Sequence, residues 1–387
     1  LWCIKKMTKS VLPIFFLLLS FSVNGQKVYR NIFEAIENPD SVEYLLVSCP
    51  HHFPNSYPCD TIPNSINKLI NLKSFSGSES RFKTLPNTFN QLHNLEHFGV
   101  SENWNFSSDE LCKLVGLPNL KSLSIFNMNF SEIPECLGEI ESLEAIHISL
   151  LFKLDLDGTF NVLSRLPKLN TLSFDIGQDS IIPTSLNKLE KIEFLNLDYN
   201  DNLKFNELLT ATKNLNLKGL SINSCGISEL PESFNQIGDL YALSLNNNWL
   251  DSIPVKLFTM ENLSYLSIAE NNGYNSKFQL TSSIGKLKSI QYLNFSHTDI
   301  GKLPSELQNL EKLEYLNIYR CKISNLVEVI PNIPNLKTLN IDSESYPKEM
   351  EILKELLPDL IIESKNIGQL EYYSVLDAFK NKNAPQH

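Results

Sequence analysis

The sequence predicts an α/β solenoid, a fold in which one small unit repeats and each copy stacks on the previous one. The segment Leu-x-x-Leu-x-Leu returns every 23 to 27 residues, and in seven repeats the turn after it leads to an apolar residue followed by proline. A fixed period of this size is typical of coils that share one elongated core. The segments begin at Leu72, Leu95, Leu120, Leu143, Leu169, Ile192, Leu217, Leu240, Leu263, Ile290, Leu313 and Leu336, with a looser copy at Val42.

Each repeat predicts a short strand followed by a turn. Positions are numbered from the first apolar residue of each segment, and positions 1, 4 and 6 are apolar, as in Leu240, Leu243 and Leu245. This alternation indicates a strand with one buried face. Position 9 carries an amide, thiol or hydroxyl group that can form a hydrogen-bond ladder with the backbone of adjacent coils. The residues at position 9 are Asn200, Asn248 and Asn271, replaced by Cys225, Cys321 and Thr298 in three other repeats.

The segment after the turn predicts two kinds of return. Proline fixes φ and removes a donor, so it suits an extended or 3₁₀ return. These prolines are Pro63, Pro86, Pro134, Pro183, Pro231, Pro254 and Pro304. Longer repeats without this proline predict helical returns, as at 108–114 and 206–209. Extra residues follow the strand at 104–106, 155–158, 201–202 and 273–276, which predicts loops along one rim.

The complete pattern, Leu-x-x-Leu-x-Leu-x-x-Asn followed by (Ile/Leu)-Pro, resembles the leucine-rich repeat family in its form of about 23 residues. The resemblance covers residues 42–362 and is clearest over 192–341. It implies a right-handed α/β horseshoe with a concave parallel sheet of about 13 short strands. The convex side would carry mixed helical, 3₁₀ and extended returns.

Both ends of a solenoid need caps, because the last apolar surface otherwise meets water. We expect an N-terminal helical cap over 26–41, repeats over 42–345 and a C-terminal cap over 346–363. That second cap combines a helix from Pro347 to Leu357 with a strand at 360–362. In the tail, 364–387, the residues Leu370, Tyr373, Leu376 and Phe379 predict an amphipathic helix, which either docks on the last coil or acts as a tether.

The first 25 residues have the features of a secretory signal peptide: lysines, a short apolar run and small residues before Gln26. Residues 1–6 resemble translated sequence upstream of Met7. A membrane anchor is the alternative, but the apolar run is shorter than the roughly 20 residues that span a bilayer. We therefore expect an exported protein of bacterial type, located in the periplasm, on the cell surface or outside the cell.

The charge balance disfavours nucleic acid as a partner. The net charge is −11, and loss of Lys5, Lys6 and Lys9 with the signal peptide takes it to −14. A chain this acidic repels phosphate backbones and anionic membranes.

The cysteines divide into three groups. Cys49 and Cys59 bracket a loop that also holds His51 and His52, so a disulfide, free thiols and a zinc site are all open there. Cys112 and Cys136 occupy similar points of adjacent repeats, where a bridge on the convex side is possible. Cys225 and Cys321 are predicted to be buried.

No catalytic motif or cofactor fingerprint appears, so the sequence predicts neither an enzyme nor a metal or cofactor site. Asp155–Gly158 resembles half of a calcium loop, but a distal carboxylate is missing and a rim turn is the simpler interpretation. His97 and His147 are expected on the concave face as surface histidines.

The concave face of the later repeats is the candidate binding site. Position 3 is aromatic and position 5 is amide or hydroxyl in several successive repeats, which predicts a tyrosine column beside a polar column. The candidate residues are Phe194, Asn196, Tyr241, Tyr265, Tyr292, Asn294, Tyr315, Asn317, Tyr319 and Asn340. The earlier repeats carry small residues such as Ser74 and Gly99 on this face.

These patterns favour a non-enzymatic scaffold that binds a protein or peptide on its concave face. The alternative is a carbohydrate-binding, envelope-binding or adhesion protein, in which the tyrosines stack on sugars of a glycan. Neither nucleic acid nor a membrane span in the mature chain is expected, and the sequence does not indicate an oligomeric state.

Overall fold

The computed structural model describes residues 27–48, 60–149, 151, 153–175, 181–201, 203–271 and 278–366. The chain divides into two compact units, Leu1–Ile192 and Glu193–His387. The predicted signal peptide, the loop bounded by Cys49 and Cys59, the rim segment 273–276 and the tail beyond Asn366 lie outside the described residues.

The described residues of the first unit form seven strands, each hydrogen-bonded in parallel to the next in chain order. They are β1 Val28–Tyr29, β2 Tyr44–Ser48, β3 Ser74–Ser78, β4 His97–Ser101, β5 Ser122–Phe126, β6 Ala145–Ser149 and β7 Thr171–Phe174.

In the second unit, the part of the chain that the structure describes forms eight strands in the same parallel arrangement. They are β8 Phe194–Asn196, β9 Gly219–Ser221, β10 Ala242–Ser244, β11 Tyr265–Ser267, β12 Tyr292–Asn294, β13 Tyr315–Asn317, β14 Thr338–Asn340 and β15 Ile361–Glu363.

The alignment of neighbouring strands confirms the predicted solenoid. Equivalent positions pair across the sheet, so Leu266 of β11 faces Leu293 of β12 and Leu316 of β13 follows. These position-4 leucines are fully buried, as are the residues at positions 1 and 6 of the same coils. Inward rows of apolar side chains at positions 1, 4 and 6 therefore form the core of these coils.

The prediction of 3₁₀ returns after proline is confirmed at all seven prolines. Each proline immediately precedes a 3₁₀ turn. These turns are Asn64–Lys68, Asn87–Gln91, Glu135–Glu139, Thr184–Lys188, Glu232–Ile237, Val255–Thr259 and Ser305–Asn309. A further 3₁₀ turn, Ser282–Lys286, follows Thr281 instead of proline.

The other coils without this proline carry α-helical returns, with one exception besides Ser282–Lys286. The helices are α2 Leu156–Leu163, α3 Phe205–Thr212 and α4 Leu326–Val329, the last followed by the 3₁₀ turn Ile330–Asn332. The helical return predicted at 108–114 is instead a 3₁₀ segment, Ser108–Leu114. There Glu110 accepts a hydrogen bond from Leu85 N and Lys113 donates to Leu85 O, so both side chains are held by the adjacent coil.

The interpretation of Asp155–Gly158 as a rim turn is wrong. Asp155 is the N-cap of α2, and its carboxylate accepts a hydrogen bond from Gly158 N at 3.1 Å. An aspartate in this position satisfies a backbone donor that the first helical turn leaves open. The acidic residues there start a helix.

The ends of the described chain carry short elements. Helix α1, Ile32–Glu37, begins at the N-cap Asn31, and a 3₁₀ turn, Pro39–Ser41, follows it. Strand β1, which the sequence did not predict, precedes it and pairs with β2. At the other end lie a 3₁₀ turn, Ser343–Ser345, helix α5, Pro347–Leu356, and β15, close to the predicted bounds. No helix among the described residues has both the length and the apolar character needed to cross a bilayer.

A left-handed residue ends the strand segment in nine described coils. Each of these non-glycine residues has φ between 48° and 66°, and each occupies position 8. They are Glu79, Glu102, Asn127, Tyr199, Ser224, Asn247, Glu270, His297 and Arg320. This conformation costs an L-residue roughly 1–2 kcal/mol. The sharp turn after the strand is therefore locally destabilising in each of these coils.

The ladder predicted at position 9 is confirmed. Asn248 donates to Ile222 O at 2.9 Å, and its side-chain oxygen accepts from Cys225 N at 3.0 Å. The two thiols make the same contact with the preceding coil: Cys225 Sγ donates to Leu197 O at 3.3 Å and Cys321 Sγ to Phe295 O at 3.0 Å. Both thiols are buried, and this burial raises the pKa of Cys321 to about 12 and that of Cys225 even further.

Phenylalanines replace leucines in part of the first core. Phe75 and Phe98 stack with ring centroids 5.5 Å apart, and Phe89 meets Phe75 edge-on at 5.3 Å. Gly77 holds position 6, where the repeat predicts a large apolar residue. A Cβ on Gly77 would lie 2.7 Å from the Phe82 ring, so the glycine leaves space that this ring fills.

Cys112 and Cys136 form a disulfide between adjacent returns. Their Cα atoms are 5.5 Å apart and 24 residues separate them in sequence. Such a bond lowers the entropy of the unfolded chain.

Replacing both cysteines with serine, Cys112→Ser/Cys136→Ser, should lower the free energy of unfolding by about 3 kcal/mol, since a loop of this length gains that much entropy when opened. Urea unfolding followed by circular dichroism measures the change. The parent chain in excess reductant is the control and should lose a similar amount. An unchanged midpoint in both would show that the bridge contributes no stability.

Glu270→Gly should stabilise the second unit by about 0.5–1 kcal/mol, because glycine adopts positive φ without the Cβ clash and loses only part of that gain to backbone entropy. Glu270→Ala is the matched control, since it removes the same carboxylate but keeps Cβ. Thermal unfolding should rank the glycine variant above the alanine variant. The reverse order would contradict a strained position 8.

Candidate functional site

Three tyrosines form a continuous stack on adjacent strands of the second unit. Tyr265, Tyr292 and Tyr315 are in register at position 3 of β11, β12 and β13. Their ring centroids are 4.4 Å and 4.5 Å apart, with interplanar angles of 15° and 6°. Since strands lie about 4.8 Å apart, the sheet itself sets the ring spacing. We call the side of the sheet that these rings form the tyrosine face.

The tyrosine face is only partly open to solvent. Tyr265 is 6% exposed, whereas Tyr292 and Tyr315 are partly exposed. Tyr241, at position 2 of its coil, packs with Tyr292 against the pair formed by Ala242 and Tyr265. The accessible aromatic surface therefore lies over β12 and β13.

Gly219 makes room for an aromatic ring on an earlier strand of the same position-3 column. A Cβ on Gly219 would lie 2.5 Å from a ring carbon of Phe194, which shows that the Phe194 ring lies over the next strand. Phe194 is itself buried. This predicted site residue thus contributes to packing, and Gly219 is a structural requirement of its position.

The predicted asparagines at position 5 are buried and bonded within the protein. In three of them the side-chain oxygen accepts a hydrogen bond from the backbone N–H two residues later, where the strand ends. The pairs are Asn196 with Asp198 at 2.8 Å, Asn294 with Ser296 at 2.8 Å and Asn317 with Tyr319 at 3.0 Å. The fourth, Asn340, accepts from Lys365 N at 3.0 Å. These amides satisfy backbone donors that a turning chain leaves open.

Where position 5 is serine, the same backbone donor is satisfied from the preceding coil. Asp198 and Asn223, both at position 7, each accept hydrogen bonds from a serine hydroxyl and a backbone N–H of the coil that follows. Asp198 accepts from Ser221 Oγ at 2.6 Å and from Asn223 N at 2.8 Å. Asn223 accepts from Ser244 Oγ at 2.8 Å and from Asn246 N at 2.6 Å. Asn246 repeats this arrangement, because its side-chain oxygen accepts from Ser267 Oγ and from Ala269 N, both at 2.7 Å.

The sequence analysis missed this row, although a signal was present. Three successive repeats place Asp or Asn at position 7, and the repeat after each has serine at position 5. That combination is the sequence signature of the bonded row. It reassigns the hydroxyl column from ligand recognition to internal hydrogen bonding.

Asp198 is the acidic end of this row. Burial raises its pKa from 3.8 to about 6, although hydrogen bonds from Ser221 and Asn223 act in the opposite direction. An ionised carboxylate loses solvation here, and the surrounding donors compensate only in part.

Polar groups line the edge where the strands of the tyrosine face end. His297 and Tyr319 have ring centroids 5.8 Å apart, and the Arg320 guanidinium lies 5.7 Å from the Tyr319 ring. Tyr315 donates from its hydroxyl to Glu363 at 3.5 Å. The candidate site therefore combines flat aromatic surface with charged and hydrogen-bonding groups along one edge.

Lysines at position 2 pair with glutamates of the preceding coil in both units. The pairs are Lys73 with Glu43 at 3.0 Å, Lys121 with Glu96 at 2.8 Å and Lys337 with Glu314 at 2.9 Å. The hydrogen bond to Glu96 raises the pKa of Lys121 and lowers that of Glu96. Exposed pairs of this kind contribute little stability.

The two histidines predicted on the concave face of the first unit do not share a site. His97 lies on β4 and His147 on β6, with β5 between them and a two-residue offset along the strands. Within the described residues, no group of three histidine, cysteine or acidic side chains is placed to hold a metal ion.

Comparison with known proteins identifies the repeat. The human protein named "Leucine-rich repeats and immunoglobulin-like domains protein 3" is 29% identical over 163 residues, which is 40% of this chain and 14% of that protein. The chain is a leucine-rich repeat protein. Osteomodulin of Bos taurus is 32% identical over 232 residues, 58% of this chain and 53% of osteomodulin.

The similarity covers only part of each relative: the chain spans about half of osteomodulin and a smaller share of the human protein. Among solved structures, an internalin of Listeria monocytogenes is 20% identical with a TM-score of 0.49, covering 86% of this chain and 89% of the internalin. No family model matches the chain.

Asp198→Asn should remove a pH dependence from the stability of the second unit. A folded pKa of about 6 against an ordinary value of 3.8 means that the fold favours the neutral acid. Its contribution is complete below pH 4 and is lost as pH rises through 6. Asparagine stays neutral, and the Asn223–Asn246 pair shows that two amides fit these positions.

The variant should therefore match the parent chain near pH 4 and exceed it above pH 6, by less than about 3 kcal/mol. Urea midpoints between pH 4 and 8 measure this. Asp251→Asn, which changes an exposed carboxylate of the same unit, is the control and should parallel the parent. Parallel curves for all three chains would contradict the assignment.

Proposed function

We propose that this chain is an exported, non-enzymatic scaffold that binds a protein or peptide on its tyrosine face. The observation that carries the proposal is the stack of Tyr265, Tyr292 and Tyr315, with centroid spacings of 4.4 and 4.5 Å. Tyrosine offers a large contact area with few rotatable bonds and is enriched at binding hot spots.

The stack is ordered before any ligand arrives. Each ring is held by the ring on the next strand, and the strands are fixed by the core beneath them. A ligand therefore does not bear the entropy of ordering these side chains, which reduces the cost of association. The charged edge formed by His297, Tyr319 and Arg320 would orient the ligand and select among partners.

Two further facts support the interpretation as an exported scaffold. A disulfide joins Cys112 and Cys136, and such bonds persist mainly in oxidising compartments. A receptor-like protein of Solanum lycopersicum is 30% identical over 132 residues, which fits a role in recognition.

The test is selection of a random peptide library displayed on phage against the full chain. Peptides enriched on the parent should lose about tenfold or more of their binding to Tyr292→Ala/Tyr315→Ala, because two hot-spot rings contribute at least 1.4 kcal/mol. Trp104→Ala is the matched control, since Trp104 is an aromatic residue 61% exposed in the first unit. A glycan array probed with the same chains tests the carbohydrate alternative.

Equal binding of the selected peptides to all three folded chains would place the binding site elsewhere. Enrichment of no peptide, together with signal on glycans, would replace the protein partner with a sugar. Thermal unfolding of each variant verifies that a loss of binding is not a loss of fold.

A further inference from the structure

We propose that the first unit carries a second binding site, a recess centred on Gly99 that accepts a short extended segment of a partner polypeptide. The site lies on the face of the sheet that carries positions 3 and 5, and it does not use the tyrosine face of the second unit. Two independent observations carry it: a strand glycine that the fold does not require, and a buried hydroxyl that bonds to nothing in the described part of the chain.

The recess forms where three neighbouring strands carry small residues. Five of the six residues at positions 3 and 5 of β3, β4 and β5 are small, and the sixth is His97. Tyr44 and Leu46 occupy the same positions of β2, and His147 occupies position 5 of β6. Larger side chains therefore bound a lower floor on both sides. We call this floor the serine recess, and its residues are Ser74, Ser76, Gly99, Ser122 and Ser124.

The fold does not require a glycine at position 99. The other two glycines inside described strands, Gly77 and Gly219, make room for a ring, since an added Cβ would lie 2.7 Å and 2.5 Å from ring carbons. The nearest described neighbour of a Cβ on Gly99 would be Ser76 Oγ at 3.7 Å, an ordinary contact. Gly99 is also not among the residues of positive φ. Glycine weakens a strand interior and often marks a place where a ligand or another backbone approaches closely. Gly99 therefore leaves space for a group that the described fold does not supply.

Ser76 provides the second observation. It is 5% exposed, and its Oγ is buried with no hydrogen-bond partner among the described residues. This Oγ faces the space over Gly99, because it is the atom nearest to the missing Cβ position. A buried hydroxyl without a partner loses the hydrogen bonds that water would give it. A ligand seated over Gly99 would restore such a bond and gain affinity from it.

The second unit shows how the fold satisfies a serine at position 5 internally. There Ser221 donates to Asp198, at position 7 of the preceding coil, at 2.6 Å, and two later serines bond to asparagines in the same way. Position 7 of the coil before Ser76 is Ser48, whose shorter side chain does not bond to Ser76. The recess thus lacks the acceptor that the fold supplies to the equivalent serines of the second unit.

The chemistry of the recess fits the amide groups of a peptide. Hydroxyls both donate and accept hydrogen bonds, and a peptide backbone offers both kinds of group. The recess residues carry no charge, and the charges beside them at position 2 pair with one another, as Lys73 does with Glu43. None of the six positions carries Phe, Tyr or Trp, on whose ring a sugar could stack. Strands β3 and β5 lie about 10 Å apart, which about three residues of an extended chain span. The occupant is therefore a short, uncharged segment with a small residue over Gly99.

Selection of a phage-displayed random peptide library against the full-length variant Tyr292→Ala/Tyr315→Ala tests the site, because this background chain lacks the main rings of the tyrosine face. Enriched peptides should bind about tenfold or more weakly when Gly99→Val is added, since the new side chain fills the space over β4. Adding Ser76→Ala should weaken them about threefold to tenfold, as expected for one hydrogen bond. Ser173→Val and Ser173→Ala, at position 5 of β7, are the matched controls and should bind like the background chain.

Urea unfolding separates a binding role from a structural one. The midpoints of Gly99→Val and Ser76→Ala should equal or exceed that of the background chain, since a Cβ fits at position 99 and alanine removes an unpartnered buried hydroxyl. Weaker binding at an unchanged or raised midpoint supports the recess, and Ser76→Ala decides if valine alone destabilises the chain. Enrichment of no peptide, equal binding to folded Gly99→Val, or a lower midpoint in both variants overturns it. The tyrosine-face experiment stands apart from these outcomes, since its peptides are selected on the parent chain.

Discussion

In-register parallel pairing is the constraint on which the rest of the structure depends. Because position 4 of one strand faces position 4 of the next, as Leu266 faces Leu293, every property of the repeat is copied sideways along the sheet. Leucines become one core row, asparagines at position 9 become a ladder, and tyrosines at position 3 become a stack. A shift of one residue in a single strand would turn its core side chains outward.

The sharp turn after each strand is a second constraint on the sequence. It places position 8 in the left-handed region and leaves nearby backbone donors without strand partners. Asn294 satisfies such a donor within its own coil, whereas Asn223 satisfies one in the next coil. Two different side-chain positions thus meet one backbone requirement, and this is why polar residues cluster beside the tyrosines.

Much of the fold could be predicted from the sequence because the same pattern of apolar and polar residues recurs in every repeat. Proline marked seven of the 3₁₀ returns, and the helix starting at Pro347 followed from its apolar spacing. Features that depart from the repeat at one place could not be predicted. Gly77 leaves space for a ring from its own coil, and β1 pairs with the open edge of β2. The tyrosine stack was predicted, but the role of Asp198 was missed, because its signature is divided between two repeats and depends on contacts with the following coil.

These contacts change which groups of the face we expect to bind a ligand. A column of asparagines suggests hydrogen bonds offered to a ligand, yet the oxygen of Asn317 is used by Tyr319 N and the amide of Asn340 by Lys365 O. What the face offers is the spacing of its rings, set by the strands at 4.4 and 4.5 Å. An extended peptide repeats its side chains on one side about every 6.6 Å, so it falls out of step with the rings after one contact. A helix repeats at about 4.5 Å over three residues. For the proposed scaffold, the geometry of the sheet therefore favours a helical ligand over an extended one.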